Sequence, residues 1–364
     1  MGTDKPKSTI FITGATGLLG SYLLKILLQN GHKVYALSRS KDKQNARNRV
    51  IDILNFWDKK VYPKYSRNLK VIEGDMSEEK LGLNQKTEDL LKNDVEEIFH
   101  CSAITDFSWP LDKIRSINVD GTRNILNFAL NCRNLKKINH ISTIYVCGDY
   151  RGIFKETNFN MGQNFNTTYE QSKFESEGVV EEYRRKGLWI DVFRPPIIIG
   201  ESTTGKVLSF DRALYQAVRL WNMEVFDYYP TKDNFKLNIV FVDELCEGIL
   251  LISRKDFGRN KNYHPFNTQT VTPYYIADLT CKYLGNKLPE FIPYDDYIKR
   301  ESTPSQLRLL KSNLLFLDRN AILDSSETVG LLAENGLQLA CINEKLFQKL
   351  LDFAVKKRFL TKAK

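Results

Sequence analysis

The sequence predicts an α/β fold, a doubly wound parallel sheet with a smaller, mainly helical C-terminal lobe. Three observations predict it. Short apolar, β-branched runs alternate with longer amphipathic segments over the first half of the chain. A glycine-rich turn directly follows the first of these runs. Beyond Pro195-Pro196 the rhythm changes to short strands between helices and long polar stretches. Alternation at this spacing means βαβ units, hence parallel strands with right-handed crossovers.

Thr9–Thr13 (TIFIT) reads as a buried strand from its apolar and β-branched content. Leu18–Asn30 reads as a helix with a Leu/Ile stripe, and Gly31 stands where a C-terminal cap belongs. Lys33–Leu37 is the second strand and Ala46–Asp58 the second helix. Leu69–Glu73, Glu97–His100 and Lys137–Ser142 add three strands, with Ile114–Asn131 one long helix between the last two. Tyr169–Lys186 is a further helix and Leu188–Phe193 a further strand. Ile197–Gly200, Leu237–Val242 and Tyr263–Asn267 are short strands, and from Pro273 onward Tyr274–Leu284 and Asn343–Lys357 are the clearest helices. The expected organisation is a nucleotide-binding core over 1–195, with strands around 237–267 returning to it, and a substrate lobe over 196–364.

Composition excludes several classes. With 42% hydrophobic and 27% charged residues in 364, the chain can build a real core and is not a disordered, collagen-like or disulfide-stapled sequence. No apolar run approaches the ~20 residues that span a bilayer. The polar stretch Met1–Lys7 is no signal peptide, so a cytoplasmic protein is expected. The six cysteines form no C-x-x-C pair and the four histidines show no ligand spacing, so no metal is expected. The net charge of +9 reflects either a lysine-rich surface or an acidic partner. Basic residues spread along the chain without a zinc-finger or RNP-type motif argue against nucleic acid.

The segment Thr13-Gly14-Ala15-Thr16-Gly17-Leu18-Leu19-Gly20 lies between the first strand and the first helix. Glycines here let the chain turn sharply and bring a diphosphate against main-chain N–H groups at a helix N-terminus. The second strand runs into Ser38-Arg39-Ser40-Lys41, with no acid to receive the ribose hydroxyls of NAD. Arg39 is placed to meet a 2′-phosphate, with Arg49 a second clamp, so NADP(H) is the expected cofactor. The alternative is that both are surface charges.

Tyr169 and Lys173 are four apart and share a helix face. A nearby ammonium favours the phenolate and lowers a tyrosine's pKa toward the range useful for proton transfer. Upstream lies His140-Ile141-Ser142-Thr143-Ile144-Tyr145-Val146-Cys147-Gly148, and further upstream Asn118-Val119-Asp120-Gly121-Thr122.

The wide glycine motif G-x-x-G-x-x-G resembles the short-chain dehydrogenase/reductase superfamily, in particular its extended branch, and implies a Rossmann-type core. Within it, His100-Cys101-Ser102-Ala103 with Asp106-Phe107, Ser142 to Gly148, Arg194 to Gly205, and the tail from Leu323-Asp324 to Phe359-Leu360 resemble thioester reductases. These include reductase domains that release acyl chains from carrier proteins, and fatty acyl-CoA reductases. The resemblance implies catalytic roles for Thr143, five residues before Gly148, and for Tyr169 and Lys173; Ser142 is the neighbour that could be mistaken for Thr143. It assigns Thr13, Gly14, Thr16, Gly17, Leu18, Leu19 and Gly20 to the cofactor, with Arg39, Arg49, Asp75, Met76, Ser102, Ala103 and Asn118. Tyr169, Lys173, Arg194, Pro195, Pro196 and Ile197 complete that set. Pro196 departs from the glycine more usual there.

The implied activity is NADPH-dependent reduction of an acyl thioester to the aldehyde, with a second reduction to the alcohol left open. The thioester is carried on CoA or on a separate acidic carrier protein, since the chain shows no adenylation or carrier segment. A monomer or weak dimer is expected. Phe210, Trp221, Phe226, Tyr228 and Tyr229 are candidates for lining an acyl channel, or for ordinary lobe packing. Two rivals stay open: a sugar-nucleotide epimerase or dehydratase, and a non-catalytic dinucleotide-sensing protein.

Overall fold

The computed structural model describes residues 7–106, 109–211, 213–232, 236–300, 310 and 321–363. Its strands are β1 (Thr9–Thr13), β2 (Lys33–Ser38), β3 (Leu69–Glu73), β4 (Glu97–His100), β5 (Lys137–Ile141), β6 (Gly152–Phe154) and β7 (Ile190–Phe193). They continue as β8 (Ile197–Ile199), β9 (Tyr228–Thr231), β10 (Ile239–Phe241), β11 (Asn262–Tyr263), β12 (Glu290–Pro293) and β13 (Ala321–Leu323). Seven of them make one sheet in the order β11-β7-β5-β4-β1-β2-β3, and every pairing is parallel. This is a Rossmann-type doubly wound sheet. Chain order reverses between β1 and β4, and the crevice beyond the carboxyl ends of strands at such a point is where open α/β sheets bind ligands.

The helices to Arg254 are α1 (Leu18–Gln29), α2 (Ala46–Trp57), α3 (Val61–Tyr65), α4 (Gln85–Asp94), α5 (Leu111–Asn118), α6 (Asp120–Leu130), α7 (Thr168–Arg185), α8 (Ala213–Asn222) and α9 (Val242–Arg254). Parallel strands covered on both faces must be apolar throughout, and all five residues of β1 are buried. Phe11, Ile98, Ile138 and Val192 from the strands share a core with Ile125, Leu126 and Phe128 of α6 and Val179, Val180 and Tyr183 of α7. Each such side chain is worth about 1.5–3 kcal/mol when fully buried.

The chain divides into two compact units. The first comprises Met1–Val146, Thr167–Pro195 and Cys246–Pro265 and contains the seven-stranded sheet. The second comprises Cys147–Asn166, Pro196–Leu245 and Phe266–Lys364. Three parallel strand pairs belong to the second unit: β8 with β10, β9 with β12, and β6 with β13. Of the later strands, β11 therefore joins the main sheet while β10 pairs with β8 apart from it. Trp221, Phe226 and Tyr229 are buried in the second unit's core beside Ile276, Phe347 and Leu351, with Phe210 and Tyr228 packed against it. Phe210 stacks on Phe359 with centroids 4.3 Å apart. Of the two readings of these aromatics, packing within the lobe is the one the contacts describe.

The single helix expected over 114–131 is two, broken at Val119. The Thr122 hydroxyl donates to the Asn118 carbonyl at 2.7 Å, and back-bonding of this kind bends a helix. Helix α4 was not expected from the sequence. Only Glu88 and Leu91 of its ten residues are buried, so it lacks a readable apolar stripe, and its start rests on the Asn84 side chain accepting from Thr87 N at 2.9 Å. No helix among the described residues is long and apolar enough to cross a membrane.

Candidate active site

The glycine turn leaves β1 and enters α1 at the switch point. Gly14 has φ +71°, and a Cβ there would lie 2.7 Å from the Cys101 carbonyl carbon and from Ser102 N, so backbone packs directly on backbone after β4. A Cβ at Gly20 would sit 2.2 Å from Gly14 O, closing the turn onto the helix. At Gly17 a Cβ would meet only Gly14 O, at 3.4 Å, so glycine leaves space in front of the helix start. Gly17 caps α1 with no side-chain hydrogen bond and no acid in the first turn. A helix start bare of caps and acids, behind a cradle that a Cβ would partly fill, fits a dinucleotide diphosphate.

His100 fixes this turn, and the sequence reading missed it. Its Nδ1 lies 2.7 Å from Thr13 Oγ1 and its Nε2 lies 3.1 Å from Thr122 Oγ1. Thr122 spends its only proton on Asn118 O, so it accepts from His100, and the imidazole proton is on Nε2. Nδ1 then accepts from Thr13, whose oxygen accepts from Ser102 N at 3.3 Å. Ser176 of α7 lies 2.9 Å from Thr122 Oγ1 and donates to it. Burial, helped by the Lys173 charge, pushes His100 down to about 3, so this wiring stays neutral. The signal for it was a polar residue closing a buried strand, opposite Thr13 in the ladder.

At the far end of β2, Arg39 reaches Asp75 Oδ2 at 3.0 Å, with the Arg39 side chain 57% exposed. Arg49 donates to the Arg39 carbonyl, so the two predicted clamps stand together. Burial of Asp75 works against its charge, but Ser77 and Arg39 outweigh it and hold the carboxyl below its usual range. Met76 is buried and lies where a Cβ on Gly121 would be, 2.3 Å from its Cε.

Lys173 is 2% exposed and donates to the Ile141 carbonyl at 2.9 Å. Burial pushes its pKa down to about 8, against the charges of Glu177 and Cys101. That bond joins α7 to the end of β5, two residues before Thr143. Thr143 is buried and donates to Pro195 O at 3.4 Å, and Ile144 N donates to the same carbonyl at 3.0 Å. Tyr169 opens α7 half-buried, one helical turn before Lys173. Asn118 accepts from Ile104 N at 2.8 Å and donates to Ser172 Oγ at 2.9 Å, tying the segment after β4 to the same helix. Ser142 is also buried, its hydroxyl without a hydrogen-bond partner among the described residues.

One assignment needs correction. The Arg194 guanidinium is fully buried and bound to Glu177 of α7, at 2.7 Å from Nη2 and 3.1 Å from Nε. Its side chain holds β7 to α7 instead of facing the cofactor. Pro195, Pro196 and Ile197 follow it out of β7, with Pro195 and Pro196 buried and Ile197 half-buried. Phe107 lies outside the described residues. No group of three or more His, Cys, Asp or Glu among the described residues could hold a metal ion.

The NAD-binding family model described as Male sterility protein matches residues 12–249. The chain belongs to the male sterility protein family. That stretch runs from β1 into α9 and contains every motif of the cofactor cradle and the Tyr169/Lys173 helix. Within the family, the chain is 26% identical to a component of the linear gramicidin synthase of Brevibacillus parabrevis over 365 residues, covering 94% of this chain and 7% of that protein. It is 28% identical to the fatty acyl-CoA reductase wat of Drosophila melanogaster, covering 72% of this chain and 58% of that one. The chain thus spans only a part of the length of either relative. The terminal R domain from the myxalamid PKS-NRPS biosynthetic pathway superposes with a TM-score of 0.86 at 26% identity, covering 100% of this chain and 94% of that one. These likenesses place the chain in the thioester reductase group of extended short-chain dehydrogenase/reductases.

Proposed function

We propose that the protein is an NADPH-dependent reductase of acyl thioesters. The observation that carries this is Tyr169 and Lys173 on α7, with Lys173 bonded to the end of β5 beside Thr143, in a chain of the thioester reductase group. The cradle of Gly14, Gly17 and Gly20 would hold the diphosphate, and Arg39 and Arg49 the 2′-phosphate. Bound NADPH supplies a hydride to the acyl carbonyl carbon. As negative charge develops on the carbonyl oxygen, the Thr143 and Tyr169 hydroxyls stabilise it, one such donor being worth about 3 kcal/mol. Tyr169 gives its proton to that oxygen, and the hemithioacetal collapses to an aldehyde and a free thiol. Lys173 holds a positive charge near Tyr169 and so favours the phenolate left behind.

Cofactor choice tests the first half of the proposal. NADPH is expected to bind more than about tenfold more tightly than NADH, since a charge-assisted contact is worth about 1.5–3 kcal/mol. Arg39→Ala should erase most of that preference in a fluorescence titration of both cofactors. Equal affinities in the wild type contradict the Arg39 assignment.

The acyl group is proposed to arrive on the phosphopantetheine thiol of an acidic carrier protein. A chain of net charge +9 attracts such a partner at long range, which raises the on-rate more than the affinity. Screening shortens to about 8 Å at physiological ionic strength, so the advantage fades with salt. One acyl chain presented on carrier protein should be reduced faster than the same chain on CoA at low salt, with the gap closing at high salt. Equal efficiency at every salt concentration would make the protein an acyl-CoA reductase.

A further inference from the structure

A cavity of about 520 Å³ opens at the amino-terminal edge of the main sheet, where β1, β4 and β5 begin. It lies at the opposite ends of these strands from the glycine turn. Glu97 and Lys137 line it from β4 and β5, His32 and Trp189 from neighbouring loops, and Lys7 and Arg254 from the start of the described chain and the end of α9.

The charges around it do not cancel. Lys137 is held by Asp191 at 2.7 Å, and Lys136 by Glu96 at 2.7 Å. Lys255 and Asp256 offset one another in charge. Lys7 and Arg254 have no carboxylate within 4.0 Å among the described residues. Arg254 Nη2 instead lies 3.4 Å from His32 Nε2, which accepts because a guanidinium can only donate. Burial, with the charges of Arg254 and Lys7 added, pushes His32 down to about 4, so the ring positions Arg254 without neutralising it. Burial also pushes Glu97 up to about 7, against the hydrogen bond from Asn139 and the charges of Lys137 and Arg254. Near neutral pH that carboxyl is largely protonated and compensates the two cations only in part.

We propose that this cavity binds the phosphoryl group of a small organic phosphate, whose two negative charges meet Arg254 and Lys7. A guanidinium fork matches phosphate oxygens bidentately, and an ammonium adds a second point charge. A bare oxyanion would leave most of the space empty, whereas the volume falls in the range of small-molecule sites, with Trp189 as an apolar wall for the organic part. The site is separate from Arg39 and Arg49, which lie beyond the other end of β2.

Sulfate is the probe, because it stays divalent through the neutral range, and phenyl phosphate adds an organic body. Both are titrated calorimetrically into the full chain. Arg254→Gln should weaken sulfate binding at least about tenfold, the loss of one charge-assisted contact, and Lys7→Gln should weaken it as well. Arg39→Ala should leave this binding in place, and phenyl phosphate should bind the wild type more tightly than sulfate. Both substituted side chains are exposed, so the fold should survive. Sulfate binding that is absent, unchanged in Arg254→Gln, or lost in Arg39→Ala overturns the proposal. The comparison of Arg254→Gln with Arg39→Ala keeps this site distinct from the cofactor reading.

Discussion

Tyr169→Phe is expected to cut turnover by about 10²–10⁴-fold, the usual worth of a positioned proton donor. Cofactor binding should stay close to wild type. The ring opens α7 half-buried, and phenylalanine keeps its bulk while removing the hydroxyl. Lys173→Ala is expected to harm both turnover and cofactor binding. Lys173 is buried on the Ile141 carbonyl, so its loss removes a charge beside Tyr169 and a tie between α7 and β5. Steady-state rates read against a cofactor titration separate the two variants. Wild-type turnover in Tyr169→Phe would remove this residue from the chemistry.

Glu177→Ala is expected to destabilise the fold by about 3–5 kcal/mol, the largest stability effect the structure carries. Arg194 is 0% exposed and Glu177 2%, so deleting the carboxylate leaves a guanidinium charge in the interior without its counter-ion. Replacing both partners by apolar side chains, Glu177→Leu with Arg194→Met, should recover much of the loss, because two desolvated charges go together. Urea unfolding of the three proteins measures this. A loss below about 1 kcal/mol in Glu177→Ala, the size of an exposed pair, would show that the pair is solvated.

The main sheet was legible because strands buried on both faces announce themselves. TIFIT, Leu69–Glu73 and Glu97–His100 occupy the residues their composition indicates, and β-branched runs bounded by polar residues leave little freedom in register. The break at Val119 was not legible, since it arises from one hydroxyl bonding back to Asn118 in an otherwise helical pattern. Nor were the pairs β6–β13 and β9–β12. Each joins segments of three or four residues far apart in sequence, with no local periodicity to reveal a partner.

The candidate site divides in the same way. The glycine turn and the Tyr169/Lys173 spacing are local patterns, and the sequence shows them directly. Arg194 reads like part of the cofactor loop because it precedes Pro195-Pro196, yet burial against Glu177 decides its role, and burial is a property of tertiary packing. His100 escaped notice for the converse reason. Its importance lies in Thr13 and Thr122, which the sheet and α6 bring to its two nitrogens.

The most direct measurement follows NADPH absorbance while the protein is given acyl thioesters, aldehydes and nucleotide sugars in turn. Thioester reduction consumes NADPH and releases one free thiol per acyl group, with one NADPH per thiol if the product is the aldehyde and two if it is the alcohol. The expected result is NADPH oxidation matched by thiol release with a thioester, and none with nucleotide sugars. NADPH left intact by every thioester, or conversion of a nucleotide sugar in its place, would contradict thioester reduction as the protein's activity.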